Sequence, residues 1–268
     1  DGSTDGSTEK IRELAQQDKK IRPVIFARNF GHQVAITAGW DYARGDAIVI
    51  IDADLQDPPE LILELSKKWK VGYEVVYSVR SEREVETWFK KVTASLFYRI
   101  IYRITDVKIP VDTGDFRLMD RKVVDVLKQM KERHRFPRGM SAWVGFKQIG
   151  VTYKRVARTA GVTKYPFNKM LRLALNAITS FSYFPLQVAT FFGFISAGVA
   201  ILAIPLVIVL RIAGSHFFEG QTTTLISVLF LGGVQLISLG ILGEYIGRLY
   251  DEAKGRPLYI VREAPEDE

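Results

Sequence analysis

Residues 52 to 59 read Asp-Ala-Asp-Leu-Gln-Asp-Pro-Pro and follow directly on the apolar run Ala47 to Ile51. Residues two apart on an extended segment point the same way, so Asp52 and Asp54 can face one site, where their hard oxygens suit Mg²⁺ or Mn²⁺. Carboxylate pairs at strand ends also serve as loop caps, and Asp57 before two prolines fits a helix cap. The pair by itself leaves both readings open. Arg80, which closes the run EVVYSVR, together with Arg117 and either Lys90 or Lys91, supplies cations for phosphate oxygens, because guanidinium forks match them bidentately. A solvated basic face is the alternative for each of these. His32, His134 and His216 have no metal-ligand spacing and read as structural or surface residues. Cysteine is absent, which excludes disulfides, thiolate zinc sites and a cysteine nucleophile.

The elements that must position these groups alternate. Val24 to Phe26 and Ala47 to Ile51 are short β-branched runs that end in polar or turn residues, as buried strands of a parallel sheet do. Gln33 to Arg44 places Val34, Ala35, Ala38 and Tyr42 on one helical face, and Gly45 follows as a stop. Pro58 and Pro59 open a helix over Glu60 to Lys70, and Glu74 to Ser78 reads as a further strand. The fold class is therefore α/β, with ligands expected at the carboxyl ends of strands. Glu84 to Ile104 interleaves aromatic and aliphatic residues with Lys90, Lys91, Arg99 and Arg103, the pattern of a basic amphipathic helix.

Across its 268 residues the chain segregates sharply, polar to about Arg172 and strongly apolar from Leu186. Leu186 to Leu210 and Thr223 to Leu242 carry no charged side chain, and each is long enough to cross a bilayer as a helix. Lys164, Lys169 and Arg172 precede the first span and Arg248, Lys254 and Arg256 follow the second, so the positive-inside rule places both ends in the cytoplasm. Arg155 and Arg158, shortly before the hairpin, are placed to meet a lipid head group. Glu244 is expected to pair with a local Arg or Lys. The formal charge of +7 suits an anionic partner. No RNA-binding aromatic signature or helix-turn-helix pattern accompanies it, so nucleic acid is not expected. Asp1 to Gln17 lacks the apolar centre of a secretory signal.

Taken together, Arg28-Asn29-Phe30-Gly31-His32, Ala43-Arg44-Gly45-Asp46, DADLQDPPE, DTGDFRLMDR (residues 112 to 121), RVARTAGVTKY and GEYIGRLYDEAKGRPLYIV resemble, in order, the polyprenyl-phosphate branch of the family 2 glycosyltransferases. DGSTDGST at residues 1 to 8 resembles the end of that family's DDGSxD element. The resemblance implies a GT-A (Rossmann-like) catalytic domain over residues 1–160 and a juxtamembrane amphipathic helix over 161–185. Two transmembrane helices over 186–247 (about 186–210 and 223–245) and a cytoplasmic tail over 248–268 would follow. The family pattern places a strand, a helix and a second strand ahead of the first Asp, so an additional N-terminal stretch is expected.

By the same resemblance, Asp1 and Asp5 line the nucleoside pocket, Asp52 lies near the ribose and metal, and Asp54 with Gln56 coordinates Mg²⁺ or Mn²⁺. Asp115 stands where the family has its general base, with Asp112 as the near rival. A phosphate monoester, with a second pKa near 6, is already largely dianionic at neutral pH. Asp115 is therefore expected mainly to orient the acceptor and to remove any residual proton. The expected reaction is inverting hexosyl transfer from a nucleotide sugar, UDP-glucose first, to polyprenyl phosphate at the cytoplasmic membrane, by a homo-oligomer. GDP-mannose, or UDP-N-acetylglucosamine or another amino-sugar donor, is the alternative. A non-enzymatic basic membrane scaffold is the alternative of a different class, and a processive synthase would be expected to carry a QxxRW element.

Overall fold

A computed structural model describes residues 1–81, 113–154, 179, 182–213 and 221–265 of the chain. It divides into two units, one formed by residues 1–180 with 255–268 and the other by residues 181–254.

In the first unit, helix α1 (Ser7–Gln17) leads to the short strand β1 (Ile25–Phe26) and helix α2 (His32–Tyr42), which ends before Gly45 as expected. Strand β2 (Ala47–Ile50), helix α3 (Leu61–Lys70) and strand β3 (Val75–Arg80) follow. After residues 82–112 come strand β4 (Thr113–Asp120), helices α4 (Arg121–Gln129) and α5 (Pro137–Trp143), and strand β5 (Gln148–Tyr153). The sheet order is β2-β4-β3-β5. β5 runs parallel to β3, but β4 is antiparallel to both β2 and β3 and sits between them. The run Ala47 to Ile51, which reads like a strand of a parallel sheet, pairs antiparallel with β4, so the α/β fold has a mixed sheet. The apolar residues of β4 are interrupted by Asp115 and Arg117, so it does not read as a buried strand, although every residue from Thr113 to Met119 is buried.

Alternation along β4 explains how that burial is used. Phe116 and Leu118 join Val76, Tyr153, Leu61 and Leu65 in one core layer beneath α3. Thr113, Asp115, Arg117 and Met119 point to the other face, and α2, α4 and α5 bring Trp40, Val123, Val124, Leu127 and Met140 to the remaining buried positions. Asp120 ends β4 by accepting from Lys122 N at 3.1 Å, the N-cap of α4, and from Trp69 Nε1 of α3 at 2.7 Å.

A separate two-stranded sheet joins segments far apart in the chain. Strand β6 (Val261–Glu263) pairs antiparallel with β1, Tyr259 stacks on Phe26 at 5.1 Å, and the Tyr259 hydroxyl donates to Asp41 at 2.6 Å. Arg12 Nε reaches Glu263 at 3.0 Å.

The second unit holds helices α6 (Phe184–Ile212) and α7 (Gln221–Ala253), which pack on each other. Both are long and apolar enough to cross a membrane, and the most apolar window of each is unburied among the described residues. Phe194 and Leu202 are 75% exposed. These are not the core helices of a water-soluble globule. α7 continues past the uncharged run, and there Glu244 pairs with Arg248 at 3.3 Å. The amphipathic helices expected over Glu84 to Ile104 and over 161–185 fall on residues 82–112, 155–178 and 180–181, outside the described residues.

Asp1 and Gly2 clasp the loop before α2. Gly2 has φ +61°, and a Cβ there would overlap the backbone of Arg28 and Asn29, whereas Gly6 (φ +83°) faces open space. Gly2→Ala is expected to cost about 2–3 kcal/mol in denaturant unfolding and Gly6→Ala about 1 kcal/mol. Equal losses would mean that the close approach carries no energy.

Candidate active site

The register of β2 against β4, with Ala47 opposite Asp120 and Ile50 opposite Arg117, leads Asp52 toward the strand position of Asp115. Asp115 is 5% exposed. Its carboxylate takes a two-pronged bond from Arg138 at the start of α5, Nε to Oδ1 at 2.7 Å and Nη2 to Oδ2 at 2.9 Å. His32, the first residue of α2, places Nε2 3.1 Å from Asp115 Oδ2 and 3.9 Å from Asp52 Oδ1. Pro137 at the first position of α5 presets the helical turn from which Arg138 points back to β4. The loop carrying His32 is held by Asp1, whose carboxylate accepts from Phe30 N at 2.7 Å and Gly31 N at 3.0 Å.

Burial alone would raise the pKa of Asp115. The bonds from His32 and Arg138, and the charges of Arg138 and Arg117, outweigh it and hold the carboxyl well below the usual carboxylate range. The bond to Asp115 in turn raises His32. Asp52 moves the opposite way, pushed up by burial and by the charges of Asp115, Asp54 and Asp57 against the pull of His32. Four carboxylates thus share one electrostatic neighbourhood at the end of β2.

The structure brings some of the residues singled out in the sequence to this place and sends others elsewhere. Asp52 and Asp115 meet through His32. Asp54 is exposed and its Oδ1 accepts from Gln56 N at 3.2 Å, while Gln56 is buried. Asp57 does not cap α3: it is buried and accepts from the Tyr153 hydroxyl, and Glu60 takes the N-cap position without a side-chain bond. Asp1 spends its carboxylate on the loop before α2, and Asp5 accepts from Ser7 N at 3.1 Å in an exposed turn that starts α1. Arg80 lies against Gly114. Arg117 is turned into the core, where it donates to Ser141 Oγ, to Gly114 O at 3.0 Å and to Asp115 O, and burial pulls it down to about 10, opposed by Asp115. Lys90, Lys91, Asp112, Arg155 and Arg158 lie outside the described residues.

His32 and Arg138 are the functional candidates that spacing missed. The reading of His32 as a structural or surface residue is corrected by its two carboxylate neighbours. A signal for Arg138 existed: Asp115 and Arg117 stand on one face of an otherwise apolar strand, and a buried carboxylate demands a cationic partner.

Asp52, Asp54 and Gln56 offer two carboxylates and an amide oxygen, a hard donor set suited to Mg²⁺ or Mn²⁺. Among the described residues no three His, Cys, Asp or Glu side chains converge into a closed cage. The donor set fits an ion that shares its shell with a diphosphate, as Mg²⁺ commonly does at substrate phosphates.

The profile of "Glycosyl transferase family 2" matches residues 1–127. An "Uncharacterized glycosyltransferase YkcC" of Bacillus subtilis (strain 168) is 54% identical over 98% of this chain and 82% of its own length. The chain belongs to glycosyl transferase family 2. Other relatives are the "Prophage bactoprenol glucosyl transferase homolog" of Escherichia coli (strain K12), 45% identical, and the "Bactoprenol glucosyl transferase" of Shigella phage SfII, 44% identical. Each covers 98% of this chain, over 86% and 85% of its own length respectively. The chain is thus a glycosyltransferase, with a mixed-sheet catalytic unit and a pair of apolar helices that forms a candidate membrane hairpin.

In this transferase Arg138 makes a two-pronged ion pair with buried Asp115. Removing one partner of a buried pair strands the other, so Arg138→Met is expected to lower stability by about 2–4 kcal/mol at pH 7. The Asp115 contribution in the parent is present above the ordinary Asp pKa of about 4 and is lost as pH falls below it. Urea unfolding at pH 7 and pH 3 measures this: the gap between parent and variant should narrow at the lower pH. A gap that stays constant would show that the ion pair is not its source.

Proposed function

We propose that this transferase moves glucose from UDP-glucose to a polyprenyl phosphate, with inversion, using Mg²⁺ or Mn²⁺ at the end of β2. The observation that carries the reading is the pair of relatives named for bactoprenol glucosyl transfer, which match nearly the whole chain, helix pair included. The acidic site at the strand ends and a helix pair suited to lipid support it. Asp52, Asp54 and Gln56 would hold the cation, which when bound supplies positive charge to the departing diphosphate. An acceptor phosphate oxygen attacks the anomeric carbon, the bond from that carbon to the diphosphate oxygen breaks, and UDP leaves with the bond's electron pair.

The chain's own residues orient and bind. An acceptor that is already dianionic needs no strong base. Asp115, engaged by Arg138 and His32 and kept ionised, is suited to fix those two side chains beside the reacting groups rather than to collect a proton. Arg80 is the remaining described candidate for phosphate oxygens.

Residues before and after the helix pair belong to the same unit, since β6 pairs with β1. Two crossings would therefore return the chain to the side it left. The flanking Lys and Arg residues make that side the cytoplasm. The multi-pass cytoplasmic-membrane location and a homo-oligomeric state belong to this proposal, as do the domain limits of 1–160, 161–185, 186–247 and 248–268.

Sealed inverted vesicles carrying the protein, given polyprenyl phosphate and radiolabelled UDP-glucose, GDP-mannose or UDP-N-acetylglucosamine, test the reading. Lipid-linked label is expected from UDP-glucose with Mg²⁺ or Mn²⁺, not from right-side-out vesicles, and with a loss of about 100-fold or more in Asp54→Ala. Label arising from GDP-mannose alone, or transfer undiminished by EDTA, contradicts it.

A further inference from the structure

The turn that carries Asp52, Asp54 and Gln56 holds an unusual backbone conformation. Leu55 has φ +57°, the only non-glycine residue with positive φ among the described residues, and its side chain is 68% exposed. A leucine there costs about 1–2 kcal/mol and gains no burial for it. Such a conformation persists where the surroundings over-determine it. One restraint is local, the Asp54 Oδ1 bond from Gln56 N. The other comes from the far side of the sheet.

Tyr153, the last residue of β5, is 6% exposed and donates its hydroxyl proton to Asp57 Oδ1, two residues beyond Leu55. Asp57 itself is 2% exposed. The charge of Arg80, the last residue of β3, acts on the same hydroxyl. Arg80 and Tyr153 are register partners on neighbouring parallel strands, so their side chains emerge together at the carboxyl ends. The Arg80 Nη2 lies so close to Gly114 that a side chain there would press on it, and the buried Arg80 Nε has no hydrogen-bond partner among the described residues. A single hydroxyl thus holds the acidic turn against the carboxyl end of β5, beside the strand end that carries Arg80. The Tyr153 ring meets Phe116 edge-on at 6.3 Å in the core, which fixes where the hydroxyl stands.

We propose that Tyr153 is a positioning residue for the transfer: its hydroxyl ties the Asp52–Asp57 turn to the carboxyl end of β5, beside Arg80, so that the donor-side carboxylates are held in one geometry before substrate arrives. The chemical role rests on the proposed function, but the tie itself does not.

Tyr153→Phe tests it, because the variant keeps the ring and removes only the hydroxyl. Amide exchange of the ligand-free protein over residues 53–57 is expected to accelerate about tenfold, the equivalent of one buried hydrogen bond, while α3 is unchanged. Asp57→Ala, which cuts the tie from the other end, should give the same signature, and Asp57→Asn, which keeps an acceptor oxygen, should stay within about threefold of the parent. Binding of UDP with Mn²⁺, followed by titration calorimetry, should weaken about tenfold in Tyr153→Phe, with KM for UDP-glucose rising more than kcat falls. Unchanged exchange over 53–57 overturns the tie. Accelerated exchange with unchanged UDP–Mn²⁺ affinity and KM overturns the positioning role and leaves Tyr153 a packing residue. A parent protein that binds no UDP and transfers no glucose would instead sink the proposed function, with the exchange arm still deciding whether the tie exists.

Discussion

A carboxylate buried on a central strand has to be neutralised, and the arrangement around Asp115 follows from that requirement. β4 is covered on both faces, so the alternation that sends Phe116 and Leu118 beneath α3 drives Asp115 and Arg117 into the opposite layer. Desolvation would favour the neutral acid, and the hydrogen bonds from His32 and Arg138 with the charges of Arg138 and Arg117 reverse the balance. α5 must therefore begin where Arg138 can reach back, and the loop before α2 must deliver His32. Asp1 and Gly2 hold that loop from a third segment. Four stretches distant in sequence are in this way bound to one buried charge.

That same requirement separates the two carboxylates chemically. Asp115 is surrounded by donors and stays ionised, whereas Asp52, half-buried among other acids, is pushed toward protonation until a cation is nearby. A divalent ion at the β2 end would relieve the repulsion among Asp52, Asp54 and their neighbours. The strand end thus has an electrostatic reason to accept one. On the other side, a firmly ionised Asp115 would suit the already charged acceptor of the proposed transfer, with Arg138, His32 and Arg80 as the groups that would meet its phosphate.

Much of this was legible in the sequence, and what was not has identifiable causes. The apolar runs located β1, β2 and β3 to within two residues, and helices α2 and α3 ended where glycine and proline chemistry required. The uncharged stretches became α6 and α7, the first extended by two residues at each end and the second continued well past Leu242 into the charged run to Ala253. The direction of β4 was hidden because its polar residues are paired inside the fold, which breaks the hydrophobic pattern on which strand assignment relies. Arg117 read as a phosphate ligand and proved to be a core residue bonded to Ser141. Arg138 and His32 were missed for the converse reason: their partner lies more than twenty residues away in sequence, and nothing in local spacing announces a long-range ion pair. Asp5 resolved as turn chemistry, and Asp57 as the acceptor of the Tyr153 hydroxyl.

The central claim is that Asp115 acts as a fixed anion that organises cations around an acceptor phosphate. The dependence of kcat/KM on pH for Asp115→Asn, relative to the parent between pH 6 and pH 8.5, tests it most directly. A defect of constant depth across that range is the outcome this account predicts, because an ionised anchor is missing at every pH. A defect that shrinks toward pH 8.5, where the acceptor needs no help in losing its proton, would show that Asp115 is a proton acceptor and contradict it.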